Sequence, residues 1–181
     1  MRRYILTGAP GAGKTVLLRR LEVAGYAVVE EAATDINALS IGRRIAHPYL
    51  EPTFIDDILA LQLSRQARAD AWGDEVVVFD RSPVCTVALA EFLDREVPPA
   101  LDAEIERIRR GGAYEPQVLF VEMADRIVNT DVRRITYEDA RRFEAVHEDV
   151  YRRLGFELVH VPMGDVEARF ELARRVMSGA A

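Results

Sequence analysis

With 181 residues, 49% hydrophobic and 30% charged side chains of mixed sign, the chain has the length of one domain, at most with a small lid, and enough apolar content for a packed core. A net charge of −6 argues against a nucleic-acid binder that works by neutralising phosphates. No apolar run approaches a membrane span, the chain opens directly on a strand with no leader-like segment, and the lone Cys85 supports neither a disulfide framework nor a cysteine zinc site. A cytoplasmic protein is expected.

The first strand is predicted over Arg3–Thr7, where Tyr4-Ile5-Leu6-Thr7 is a short buried run. Gly8-Ala9-Pro10-Gly11-Ala12-Gly13-Lys14-Thr15 follows and fits the phosphate-loop pattern of Gly, any four, then Gly-Lys-Ser/Thr. Apolar positions at helical spacing then predict a helix over Lys14–Ala24. Glycines let the backbone turn its N–H groups toward an anion, and the helix N-terminus adds a partial positive charge. Lys14 is the only lysine in the chain; every other long cationic side chain is arginine. A compact ammonium on a flexible stem suits a phosphate wrapped in main-chain amides, where a planar guanidinium does not fit. Lys14 is expected to reach the β/γ-phosphates, poised for ligand rather than packed, and the Thr15 hydroxyl to ligate Mg²⁺.

A second strand is predicted over Ala27–Glu31. Adjacent strand residues face opposite sides, so one of Glu30 and Glu31 faces the cleft. A carboxylate there could accept a proton from a substrate hydroxyl or hold Mg²⁺ through water. Ser40–Pro52 contains Gly42, Pro48 and Pro52, lacks periodicity, and reads as a mobile connection that puts His47 within reach of substrate. A helix is predicted over Phe54–Ala71. A third strand, Glu75–Asp80, is an apolar run ending in a carboxylate placed beside the metal or its water. Arg81, at the strand's carboxyl end, is a candidate to grip the transferred group or the acceptor by bidentate hydrogen bonds.

Ser82 and Pro83 form an N-cap with proline at the first helical position, opening a helix over Pro83–Asp94 in which Cys85 is a packing residue. A helix over Pro99–Arg110 and a strand over Gln117–Glu122 come next. The polar stretch Ala124–Ile135 carries Arg126, Arg133 and Arg134 around Asp131 and reads as a lid. Arginines brought in by a closing lid stabilise charge on a transferring phosphoryl group. Arg133 and Arg134 are adjacent, so they cannot both face one point. Thr136 and Asp139 make a capping-box variant for a helix over Tyr137–Leu154, a strand follows over Glu157–Val161, and Asp165 caps a last helix over Val166–Met177. His147 and His160 read as structural. Alternating strands and helices imply an α/β protein whose parallel sheet is covered on both faces.

With these pieces in order, the chain resembles the small phosphate-loop ATPase/kinase family grouped as an AAA-type domain. That family is similar to the ribosylnicotinamide kinase domain of the bacterial NAD regulator and, more distantly, to nucleoside and nucleoside-monophosphate kinases. The matching stretches are Gly8–Thr15, Val28–Ala33, Phe54 with Gln62, Asp80-Arg81, Asn129–Arg134 and Leu154–Pro162. The resemblance implies a single three-layer α/β/α P-loop NTPase domain, with a five-stranded parallel sheet in the order 2-3-1-4-5 and a lid near residues 124–136. It implies ATP over Gly8, Ala9, Pro10, Gly11, Ala12, Gly13, Lys14 and Thr15, with Arg126 and Pro162 on the nucleotide side. Thr15 and Asp80 would face Mg²⁺, directly or through water. Glu31 matches the family's acidic position better than Glu30, and Arg81, Arg133 and Arg134 match its catalytic arginines. The acceptor pocket would lie between the second and third strands and the lid. Thr34 stands where a basic residue is expected and Cys85 where relatives often carry an acidic one; both departures fall beside that pocket and bear on substrate identity.

Two functions follow. One is a small-molecule kinase that moves the ATP γ-phosphate to a hydroxyl of a nucleoside-like or other small metabolite. The other is a nucleotide-binding regulator that hydrolyses ATP or GTP slowly and forms no phosphorylated small-molecule product. A mechanical AAA+ motor is disfavoured because little sequence follows the nucleotide core. A dedicated GTPase is disfavoured because the Asn-Lys-x-Asp guanine signature is missing. Neither the acceptor's identity nor the oligomeric state is encoded in these motifs.

Overall fold

The computed structural model describes residues 1–123 and 136–179. Five strands, β1 (Arg2–Thr7), β2 (Ala27–Val29), β3 (Val76–Asp80), β4 (Gln117–Val121) and β5 (Glu157–Val161), form one sheet in the order β2-β3-β1-β4-β5. Every pairing is parallel, with Leu6 opposite Asp80 and Thr7 opposite Phe120. The helices among the described residues are α1 (Lys14–Val23), α2 (Ala32–Gly42), α3 (Phe54–Ala69), α4 (Pro83–Phe92), α5 (Pro99–Gly111), α6 (Tyr137–Arg153) and α7 (Val166–Ser178).

Strand pleat separates two cores. Tyr4, Leu6, Val78, Leu119 and Val161 point to one face and pack on Leu17, Leu18 and Leu21 of α1 and Phe170, Ala173 and Met177 of α7. Ile5, Val77, Phe79 and Val118 point to the other, under α3 to α6. Both faces are covered, which is why the strands read as near-continuous apolar runs.

The sequence reading differs from the structure in one stretch. β2 ends at Val29, and Glu30-Glu31 leads into α2, a helix the sequence pattern did not predict. Only Ala32 of that helix is fully buried, so it lacks the apolar stripe that marks a helix in sequence. Ser40–Pro52, expected as a connection throughout, begins inside α2, where the Ser40 hydroxyl donates to the Ile36 carbonyl at 2.9 Å, and holds a 3₁₀ turn at Pro48–Leu50. The lid stretch with Arg126, Asp131, Arg133 and Arg134 lies outside the described residues, and Thr136 is the N-cap of α6. No described helix is long and apolar enough to cross a membrane.

Candidate active site

In an all-parallel sheet every strand ends on the same side, so the segments after β1, β2, β3 and β5 converge there. The phosphate loop leaves β1 at Gly8, whose φ of 131° and close approach to β4 exclude any side chain: a Cβ would sit 2.1 Å from the Val121 carbonyl oxygen. Gly13 enters α1 in the left-handed region (φ 79°) and no side chain caps that helix, so its first N–H groups remain available to an anion. Ala9 and Ala12 are buried beneath the loop, while Gly11 and Thr15 are exposed.

Lys14 corrects one expectation. It is only 4% exposed, and its Nζ donates to the Gly8 carbonyl at 3.0 Å and the Ala9 carbonyl at 2.8 Å. The ammonium therefore ties the loop to itself.

After β3, Asp80 is buried opposite Leu6, and Arg81 takes a left-handed backbone (φ 71°) with its N–H on the Leu6 carbonyl at 2.9 Å. A non-glycine residue holds that conformation only where its surroundings fix it. Here they do. Arg81 Nε sits 2.6 Å from Glu31 Oε1, and Arg81 Nη1 donates to His147 Nε2 at 2.9 Å. The guanidinium also lies 5.9 Å from the centre of the Phe143 ring. Burial is the largest single influence and opposes its charge, but Glu31, with Cys85 and Asp80 beside it, together hold the pKa above its ordinary value.

The histidine tautomer follows from its partners. Arginine only donates, so Nε2 accepts; Nδ1 carries the proton and donates to the Phe143 carbonyl at 2.8 Å. Burial first, and the Arg81 charge second, push the His147 pKa well below 6.5. His147 is structural in the sense read from the sequence, but what it supports is Arg81.

The two adjacent glutamates diverge. Glu31 turns inward to Arg81, with its other oxygen accepting from the Thr34 hydroxyl at 2.8 Å, whereas Glu30 pairs with Arg19 on the surface. Thr34 thus occupies the place expected for a basic residue by holding the carboxylate. Ser82 occupies the N-cap of α4, but its hydroxyl makes no cap; it meets the Tyr151 hydroxyl at 2.9 Å. Tyr151 also meets Cys85 Sγ at 2.9 Å, and Cys85 meets the Thr7 hydroxyl at 3.1 Å. Burial, then Cys85, raises the Tyr151 pKa well above 10.0. The expected caps at Thr136 and Asp165 are present, accepting from Asp139 N at 3.0 Å and from Glu167 N at 2.9 Å.

A pocket of about 950 Å³ runs from Pro10 of the loop past Glu31 and Arg81. Phe54, Ile58, Leu89, Phe92 and Phe143 form its apolar wall, Gln62 and Thr86 (hydroxyl to amide oxygen, 2.9 Å) its neutral polar floor, and Arg44, His47 and Arg142 its outer part. Apolar walls with a few convergent polar groups are the form of a small-molecule site. Pro162 directly follows β5 at the same sheet edge and is exposed. His160 faces Glu122 at 3.2 Å, away from this pocket's lining. Sequence reading missed the roles of His147, Thr86 and Arg142. Only the helical spacing that puts Phe143 and His147 on one face pointed toward any of them.

A family model described as AAA domain matches residues 3–169. The chain belongs to this AAA-domain family. A search of curated proteins finds no match. Among solved structures, the AAA-domain chain is similar to the deoxyadenosine kinase of M. mycoides with products dCMP and a flexible dCDP bound (14% identity, TM-score 0.59, covering 98% of this chain and 99% of that one). It is similar to the thymidylate kinase of Candida albicans (9% identity, TM-score 0.65, 99% and 92%). It is also similar to the NadR protein in complex with NR (19% identity, TM-score 0.69, 96% of this chain but only 51% of that one). At these identities the likeness establishes the fold, a P-loop kinase-type α/β domain.

Proposed function

We propose that this AAA-domain protein is a small-molecule kinase that transfers the γ-phosphate of ATP to a hydroxyl of a nucleoside-like or other small metabolite. The carrying observation is the continuity of the large pocket with the phosphate loop: one cavity touches Pro10, Glu31 and Arg81 together. An acceptor there has its hydroxyl beside a carboxylate and a fixed guanidinium. Glu31 takes the hydroxyl proton, the alkoxide oxygen bonds to the γ-phosphorus, and the bond to the bridging oxygen breaks as ADP leaves with the electron pair. Arg81, Lys14 and one of the lid arginines Arg133 and Arg134 oppose the charge on the transferring group. Gly8 to Thr15, with Arg126 and Pro162, hold the nucleotide.

Thr15, exposed at the start of α1, and the Asp80 carboxylate supply hard oxygen donors of the kind Mg²⁺ takes alongside phosphate and water, so the residues fit that ion. When bound, it would supply positive charge that offsets the charge of the phosphates. The similar deoxyadenosine kinase solved with dCMP and dCDP, and the similar NadR protein solved with NR, support a nucleoside-like acceptor.

The test is a metabolite-library screen with ATP–Mg²⁺, read by mass spectrometry for phosphorylated products. A product whose formation consumes ATP one for one supports the kinase. ATP consumption that no metabolite raises would favour the slow-hydrolysing regulator instead.

A further inference from the structure

The phosphate loop has a second cation behind it, supplied by a residue outside the motif. Arg169, near the start of α7, is 6% exposed. Its Nη2 donates to the Ala12 carbonyl at 3.0 Å, and its Nη1 lies over Gly13, where a Cβ would approach it to 3.0 Å. Gly13 is thus required twice, for its left-handed backbone and for the space the guanidinium fills.

What sets Arg169 apart is the lack of a counter-charge. Other sheltered arginines face carboxylates: Arg81 on Glu31, Arg3 on Asp70 and Arg65 on Asp35. Among the described residues no carboxylate lies within ion-pair distance of Arg169, and its buried Nε has no hydrogen-bond partner. Burial alone pulls its pKa below the ordinary value. An uncompensated buried cation weakens a fold. This one stands against the segment built to receive an anion.

Peptide geometry links the two. In a planar trans peptide the C=O and N–H point opposite ways. A charged donor on the Ala12 carbonyl therefore polarises the Gly13 N–H on the far edge of the same peptide, making it a stronger donor. We propose that Arg169 is a positioning residue for nucleotide binding. It fixes and polarises the Ala12–Gly13 peptide, and its own charge is balanced when phosphates occupy the loop. The proposal rests on the reading of the loop as a nucleotide site.

The sign of the stability change separates this role from a simple tie between α7 and the loop. Arg169→Met keeps the stem and removes the charge; Arg169→Lys keeps the charge and loses the planar fork. Both are compared with wild type in the full chain by calorimetric titration with ATP–Mg²⁺ and by thermal melts with and without it. The expected result is that R169M alone melts no lower than wild type, while its ATP affinity falls by about tenfold or more and the nucleotide-induced rise in melting temperature shrinks. R169K should recover part of the affinity. A lower melting temperature with unchanged affinity overturns the proposal and makes Arg169 a structural tie. If R169M both melts lower and binds weakly, or does not fold, R169K decides: affinity that returns with the charge upholds the proposal, and affinity that does not overturns it. Wild type failing to bind ATP–Mg²⁺ sinks the nucleotide reading itself, an outcome distinct from wild type and R169M binding equally well.

Discussion

The phosphate loop takes its shape almost wholly from main chain, glycine and one lysine within Gly8–Thr15, with Arg169 as its one tie from outside, whereas the wall of the large pocket is assembled from side chains scattered along the chain. Glu31 comes from the entry to α2, Arg81 from the end of β3 and His147 from the middle of α6. Binding a triphosphate tail needs N–H groups and a point charge, which one short glycine-bearing turn can present. Choosing an acceptor needs carboxylate, guanidinium and apolar wall at fixed separations, which only the tertiary fold provides.

That contrast can be broken by mutation. The largest effect should come from Lys14→Ala, with turnover falling about a thousandfold or more in an ADP-release assay, as for loss of a donor aimed at transition-state charge. Because Lys14 also bonds the Gly8 and Ala9 carbonyls, the variant should lose about 1–2 kcal/mol of stability in urea unfolding. Turnover near wild type would remove the loop from the chemistry.

Arg81→Ala should lower kcat by roughly a hundredfold while leaving ATP affinity nearly unchanged. ATP affinity that collapses with it would move Arg81 from the acceptor half to the nucleotide half and erase the boundary between them.

The smallest effect sharpens the acceptor half. His147 is held neutral in the native state, with a pKa well below 6.5, but protonates normally in the unfolded chain. Between the two pKa values the unfolded state binds more protons, so stability is fully present above pH 6.5 and declines as pH falls below it. The decline from this one group is up to about 1.4 kcal/mol per pH unit. His147→Gln, which retains an acceptor for Arg81, should flatten that slope in unfolding measured from pH 7 downward. Equal slopes in the two proteins would show that burial beside Arg81 does not hold the imidazole neutral.

Legibility in the sequence followed the same division. The loop and the helix starts at Thr136 and Asp165 were readable because each is a local rule, a motif or a cap, whereas the sheet order came only with the family resemblance. Glu30 and Glu31 do diverge, but not by strand pleat: both lie beyond the end of β2, and the turn into α2 is what sends Glu31 inward to Arg81 and leaves Glu30 on Arg19. α2 was not readable because a helix with a single fully buried residue leaves almost no periodic trace. Ser82 looked like a cap and is spent on Tyr151, because a partner distant in sequence outcompeted the local bond. His147 and Arg169 were illegible for the same reason. Each gains its meaning from a residue that no spacing rule connects to it.

The sheet's two faces have a consequence for engineering. α1 and α7, which brace the phosphate loop, pack on one face, and the helices that line the large pocket pack on the other. A designer can therefore graft new pocket walls from α2, α3 and α4 without disturbing the brace beneath the loop. The layout is modular: the pocket's walls can be rebuilt on one side of the sheet while the support of the loop on the other side stays as it is.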